Sequence, residues 1–285
     1  MNACLLLAVT LAAGTPASRP AGAWPFFAFC HDTHDAKKRN AAQQAAMLKE
    51  LGYDGCGHLW LGGLAERLKT LDANGLKLFQ VYMQVNVSGK PEAYDAALSA
   101  ALPLLKGRGT MLALLCGGGR RSDASLDDKA VAVIGHIADL ARPHGVKVVL
   151  YPHVGNWVEK MEDALRVVGK VDRPNVGVMF NLCHWQKLGD DKLLRALLTA
   201  AMPHLLAVSI SGTDATGDVR RGKGKWIQPL DSGSFDMLGF LKMLRELGYA
   251  GPVGLQCYGL GGDAREHLAR SMAAWRKLRA RLGEK

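Results

Sequence analysis

After residue 24 the chain alternates eight times between a short apolar run rich in β-branched or aromatic residues and a longer amphipathic run. This period constrains the fold more than any other property of the sequence. Strands separated by helices lie parallel, because a parallel neighbour is reached only by crossing over a face of the sheet. FFAFC at 26–30 is the first expected strand, the helix KKRNAAQQAAMLKEL stops at Gly52, and YDGCG at 53–57 is the second strand. LAERLKTLDAN with Gly75 leads into LKLFQVYMQ, and a helix expected over Pro91 to Leu105 leads into TMLALLCGGG. A capping-box spacing from Ser125 to Asp128 opens the helix before VKVVLY. Three further pairs lead into NVGVMFN, LLAVSIS and PVGLQCYG, and AREHLARSMAAWRKLRARL closes the chain. No GxGxxG follows the first strand to cradle a dinucleotide, so a closed (β/α)8 TIM barrel over 24–285 is expected rather than a doubly wound open sheet.

At 48% hydrophobic and 22% charged, the 285 residues can bury a large core. MNACLLLAVTLAAGTPASRPAGA at 1–23 holds a short apolar stretch followed by small residues, the pattern of a secretory signal, and export is the expected location. No run approaches the length of a membrane helix, so no stable membrane insertion is expected. The formal charge of +10 is dispersed among acids, as in LKELGYDG and LRELGYAG. Only RRGKGK at 220–225 is compact, which describes a solvated surface better than a nucleic-acid groove, although Lys225 and its neighbours are candidates for meeting an anionic substrate. The six cysteines form no CxxC pair, and Cys30, Cys56, Cys116, Cys183 and Cys257 fall near strand ends as small buried hydrophobes.

Chemistry is expected at the C-terminal ends of the strands. The segments VVLYPHVGN, PNVGVMFNLCHW and IQPLDSGSFDMLGFLKMLRELGYAGPVGLQ, with the closing GDAREHLARSMAAW, carry a resemblance to the xylose isomerase-like TIM barrels, from about residue 26 to 275. The resemblance implies a Glu two residues before a His at strand five, Asp-x-x-His at strand six, a His at strand seven and a Glu at strand eight. The Glu, Asp, His and Glu would hold one divalent metal. At those positions this chain has Tyr151, Asn181, Ser209 or Ser211, and Gln256, while the two other histidines persist as His153 and His184. Amides and a phenol are poor ligands for a hard divalent cation, so the usual metal site is expected to be lost and no cofactor is expected.

The resemblance therefore implies a carbohydrate isomerase or epimerase working by proton transfer alpha to a carbonyl, with its metal chemistry replaced. His153 and His184 are the candidate acid and base, and Tyr151 the candidate donor to a developing oxyanion. Asn181 and Gln256 suit sugar hydroxyls. His31, His34 and His58 are candidate substrate contacts and, through the loop FCHDTHD, a weak signal for a divalent ion. Trp185 and Trp226 are candidate stacking platforms, with Trp157 and Trp60 near the same mouth. GGGRRSD at 117–123 could seat an anion, and SGTDATGDVRRGKGKWIQPLDSG is expected to form a flexible lid. Competing readings are a non-catalytic carbohydrate-binding barrel, a keto-sugar lyase or hydratase, and, least favoured, a DNA-repair endonuclease.

Overall fold

The computed structural model describes residues 24–89 and 92–283. The expected leader at 1–23 and the Pro91 start of the expected third helix lie outside the described residues. Eight strands, β1 (Phe26–Phe29), β2 (Gly55–Leu59), β3 (Lys77–Asn86), β4 (Met111–Gly117), β5 (Lys147–Leu150), β6 (Val176–Asn181), β7 (Leu205–Ile210) and β8 (Val253–Gln256), close into a barrel in chain order. All neighbours are parallel, and β1 pairs with both β2 and β8, so no edge is left open.

The helices are α1 (Ala41–Leu51), α2 (Leu64–Ala73), α3 (Leu98–Leu105), α4 (Asp127–Ala141), α5 (Met161–Val171), α6 (Leu182–Leu188), α7 (Leu194–Ala201), α8 (Thr216–Arg220), α9 (Met237–Glu246) and α10 (Ala264–Arg281). One helix per strand was the expectation. Two crossovers depart from it, because α6 starts directly at the end of β6 and α8 sits in the connection after β7. Three local expectations also shift. The first helix begins at Ala41, where Asn40 and Gln43 form a reciprocal capping box, four residues after the expected Lys37. The third is confined to Leu98–Leu105, and Tyr94 before it bridges to Val85. Asp123, rather than Ser125, caps the turn that precedes α4, accepting from the Ser125 N–H.

Strand alternation divides the core into two layers. Phe26, Ala28, Leu112, Leu114, Val148 and Leu150 face the helices, whereas Phe27, Phe29, Met111, Ala113, Val149 and Met179 fill the barrel interior. Within it Phe27 stacks on Phe79 at 4.8 Å and Phe29 on Tyr82 at 5.3 Å. Glycine makes the room: a Cβ on Gly254 would lie 2.8 Å from the Phe27 ring, and one on Gly57 would lie 2.8 Å from the Phe29 Cβ. The same alternation carries the inward face up to Tyr151, Asn181, Ser209 and Gln256, at or just past the ends of their strands. None of the described helices is long and apolar enough to cross a membrane.

Candidate active site

Tyr151, Asn181, Ser209 and Gln256 meet in one buried polar cluster at the top of the barrel. Gln256 Nε2 donates to the Tyr151 hydroxyl at 3.2 Å, and Gln256 Oε1 accepts from the Tyr258 N–H at 2.9 Å. Ser209 Oγ donates to Asn181 Oδ1, while Asn181 Nδ2 reaches the Pro152 carbonyl at 3.4 Å. Burial drives the Tyr151 pKa well above the ordinary tyrosine value, against the opposing hydrogen bonds of Asn181 and Gln256. The phenol is therefore neutral, and because its oxygen already accepts from Gln256, its own O–H is left to donate.

Tyr151, Asn181 and Gln256 stand where the resemblance placed three carboxylates, and Ser209 is one of the two serines, with Ser211, near its strand-seven histidine. A divalent cation exchanges its hydration for anionic or strongly polar ligands in fixed geometry. A phenol, two amides and a hydroxyl, tied to one another and uncharged, do not fit it. Among the described residues there is no group of three His, Cys, Asp or Glu that could hold a metal ion.

Beside the cluster stand the two histidines, their ring centroids 3.9 Å apart. His153 follows β5 by three residues, and His184 lies in the first turn of α6. His153 Nδ1 contacts the Val154 carbonyl at 2.8 Å and, facing an acceptor, carries the proton, so Nε2 of the neutral ring holds a lone pair. His184 Nδ1 faces the Val154 N–H at 3.4 Å and accepts, so its proton sits on Nε2. The two tautomers are assigned by the backbone groups of this one residue and are opposite. Burial lowers both pKa values; for His184 the shift is large and is reinforced by the nearby charges of His153 and Lys187. Trp226 meets the His184 ring edge-on at 5.4 Å, and Tyr151 meets it at 5.8 Å.

These groups open onto a cavity of ≈ 970 Å³ whose wall includes Tyr151, His153, His184, Trp226 and Gln256, and also Trp60, Tyr82, Tyr94, Asn156 and Tyr258. Its described lining carries the carboxylates Glu92 and Asp95 and neither lysine nor arginine. His184 also borders a smaller crevice of ≈ 130 Å³ behind the site, together with Asn181, which is absent from the wall of the larger cavity.

Several expected contacts lie elsewhere. His31 is 2% exposed with both ring nitrogens unpartnered among the described residues, and it is absent from the cavity wall. His58 belongs to β2 and points to the helix layer, where its Nδ1 accepts from Arg67 and its Nε2 contacts the Gly62 carbonyl at 2.8 Å. His34 accepts from the Gly259 N–H and packs edge-on to Tyr258, so it supports the wall from behind. The rest of FCHDTHD is structural: Asp32 pairs with Arg67, and Asp35 binds Arg39 and caps the Ala264 N–H of α10. Trp185 lines the small crevice against Phe180, and Trp157 is wholly buried with its indole N–H on the Asp123 carbonyl.

Lys225 is exposed and contributes its backbone N–H to Asp214, and no residue of RRGKGK lines the cavity. In GGGRRSD, Gly117 and Gly118 line the wall, whereas Arg120 and Arg121 turn to Asp123 and Glu159. The segment expected as a flexible lid is braced instead. Gly212 pairs with Gln228, Thr213 bonds Gln186, and Arg220 bonds the Gly189 carbonyl. Sequence reasoning missed Tyr258, although it shares the inward parity of Gln256 two residues earlier.

A closed parallel barrel with an aromatic-walled cavity and a few convergent polar groups at its C-terminal mouth defines a TIM barrel of the kind that hosts sites on small molecules. Residues 31–278 match the xylose isomerase-like TIM barrel family, and the chain belongs to that family. It is 26% identical over 137 residues to the inosose isomerase of Bacillus subtilis (strain 168), covering 45% of this chain and 46% of that protein. It is 28% identical over 150 residues to the ketose 3-epimerase of Arthrobacter globiformis, covering 52% and 47%. The chain thus spans about half the length of these curated relatives. The D-psicose 3-epimerase of Clostridium cellulolyticum H10, solved with D-tagatose, superposes with a TM-score of 0.70 at 15% identity, covering 90% of this chain and 98% of that one.

Proposed function

We propose that this chain is an exported sugar isomerase that moves a proton alpha to a carbonyl with a histidine pair, and with no divalent cation at the family position. The observation that carries this reading is the His153–His184 pair, held at 3.9 Å with opposite tautomers over a cavity large enough to admit a sugar. Kinship to an inosose isomerase and a ketose 3-epimerase supports the substrate class, and the leader pattern at 1–23 supports export.

The chemistry follows from the free atoms. His153 Nε2 takes the C–H proton as the C–H electron pair forms the enolate double bond and the carbonyl pair moves onto oxygen. The Tyr151 O–H and the His184 Nε2–H then hydrogen-bond that oxyanion. Protonated His153 returns the proton to the adjacent carbon, while the sugar hydroxyl proton passes to the former carbonyl oxygen; the product is an isomer with the same atoms. Epimerisation through a planar enolate would need proton groups on both faces of one carbon. Both imidazoles stand on the same wall, which favours the one-face transfer of an isomerase.

Incubation of free aldoses and ketoses in D₂O tests this by NMR. Isomer formation with deuterium at the shifted carbon is expected. Binding without exchange would instead favour a carbohydrate-binding barrel, the reading that the uncharged Tyr151–Asn181–Gln256 cluster otherwise suits.

A further inference from the structure

We propose that the cavity takes a neutral glycoside rather than a single free sugar, with the reacting unit at His153 and His184 and a second unit against Trp60 and Tyr258. This extends the isomerase reading and rests on it.

Size is the first argument. A hexose of about a dozen heavy atoms fills at most roughly 360 Å³ even at ~30 Å³ per atom, the share of a water in the liquid. The cavity is ≈ 970 Å³, so one hexose leaves more than half of it open.

Layout is the second. In an eight-stranded barrel β5 and β6 stand across the mouth from β1 and β2, and β8 stands between, two strands from β6. His153 and His184 follow β5 and β6, whereas Trp60 and Tyr258 follow β2 and β8, on either side of β1. Both rings are among the exposed large side chains, Trp60 at 44% and Tyr258 at 54%, and both line the cavity. An aromatic face presented to water at the cavity mouth suits the C–H face of a sugar ring, apolar on one side and hydroxylated at its edge.

Backbone strain is the third. Trp60 is held at φ 67°, a conformation that a bulky residue adopts only under constraint. Its N–H is bonded to the Tyr82 carbonyl at 3.0 Å, and the neighbouring cavity residue Cys30 is likewise at positive φ, 54°. The indole is thus fixed at the mouth against the preference of its own backbone, as a preorganised platform would be.

Charge is the fourth. Glu92 and Asp95 sit in a described lining that has no lysine or arginine, which disfavours phosphorylated and carboxylated ligands.

Isothermal titration tests this with cellobiose, maltose and lactose, whose reducing units carry the carbonyl, with their constituent hexoses, and with glucose 6-phosphate. At least one disaccharide is expected to bind tenfold or more tightly than either hexose it contains, and the phosphate more weakly than glucose. Trp60→Gly, which relieves the positive φ and so should fold, is expected to reduce that preference to threefold or less. Hexoses binding as well as every disaccharide, a preference unchanged in both Trp60→Gly and Tyr258→Ala, or tighter binding of the phosphate would each overturn the proposal. If hexoses bind and exchange deuterium without a disaccharide preference, only this extension fails. If no sugar binds at all, the isomerase reading fails with it.

Discussion

Val154 offers its carbonyl to His153 Nδ1 and its N–H to His184 Nδ1, so the two backbone groups of one residue set the two imidazoles in opposite tautomers. With their rings 3.9 Å apart, protonation of one opposes protonation of the other. A base and a donor thus stand side by side, and among the described residues neither ring is hydrogen-bonded to a carboxylate.

The pH profile should report this pairing. Burial lowers both imidazole pKa values, so the neutral base persists below the ordinary value of 6.5. Isomerase kcat/KM should be flat from neutrality down to below pH 6.5 and fall only at more acid pH. His153→Gln should lower kcat by about 10²–10⁴, the usual worth of general base catalysis. Wild-type thermal stability in that variant, measured alongside, separates chemistry from folding.

His31 should make stability depend on pH. Burial pushes its imidazole from 6.5 down to about 4. The fold prefers the neutral ring, so this contribution is whole above 6.5 and is lost as pH falls from there through about 4, for a total of about 3 kcal/mol. Urea midpoints measured across this range should fall less steeply in His31→Gln than in the wild type; parallel curves would assign the acid sensitivity to other groups.

Gly254→Ala should strain the barrel floor. Its new methyl would approach the Phe27 ring at 2.8 Å and the Phe29 ring at 3.1 Å. Overpacking of this kind costs about 1–3 kcal/mol, and a lower Tm in calorimetry would register it.

Restoring the carboxylates should create metal affinity. Tyr151→Glu, Asn181→Asp and Gln256→Glu together would put three anionic groups where the neutral cluster now stands. The triple variant is expected to bind Mn²⁺ at least tenfold more tightly than the wild type by titration calorimetry, and to be stabilised by the metal where the wild type is not.

Strand periodicity explains what the sequence revealed and what it hid. The barrel and its inward positions at Tyr151, Asn181 and Gln256 follow from alternation, which holds while a strand stays extended. The histidines of the first two units were misplaced where that rule ends. Cys30 at φ 54° turns the chain, so His31 does not continue the inward face of Phe27 and Phe29. β2 runs to Leu59, two residues beyond the expected Gly57, and His58 becomes a strand residue facing α2. Trp185 was misjudged because α6 begins at once after β6: a helix turns about 100° per residue, so His184 reaches the cavity and its neighbour the crevice behind. The bracing of residues 211–233 depends on Gln186 and Gly189, contacts distant in sequence that no local pattern announces.

The most direct test of the central claim is the rate of substrate C–H exchange with D₂O after exhaustive chelation. The wild type should exchange at an unchanged rate, should gain nothing from added Mn²⁺, Mg²⁺ or Zn²⁺, and should lose exchange in His153→Gln. Exchange that disappears with the chelator and returns with one of those ions would contradict the account.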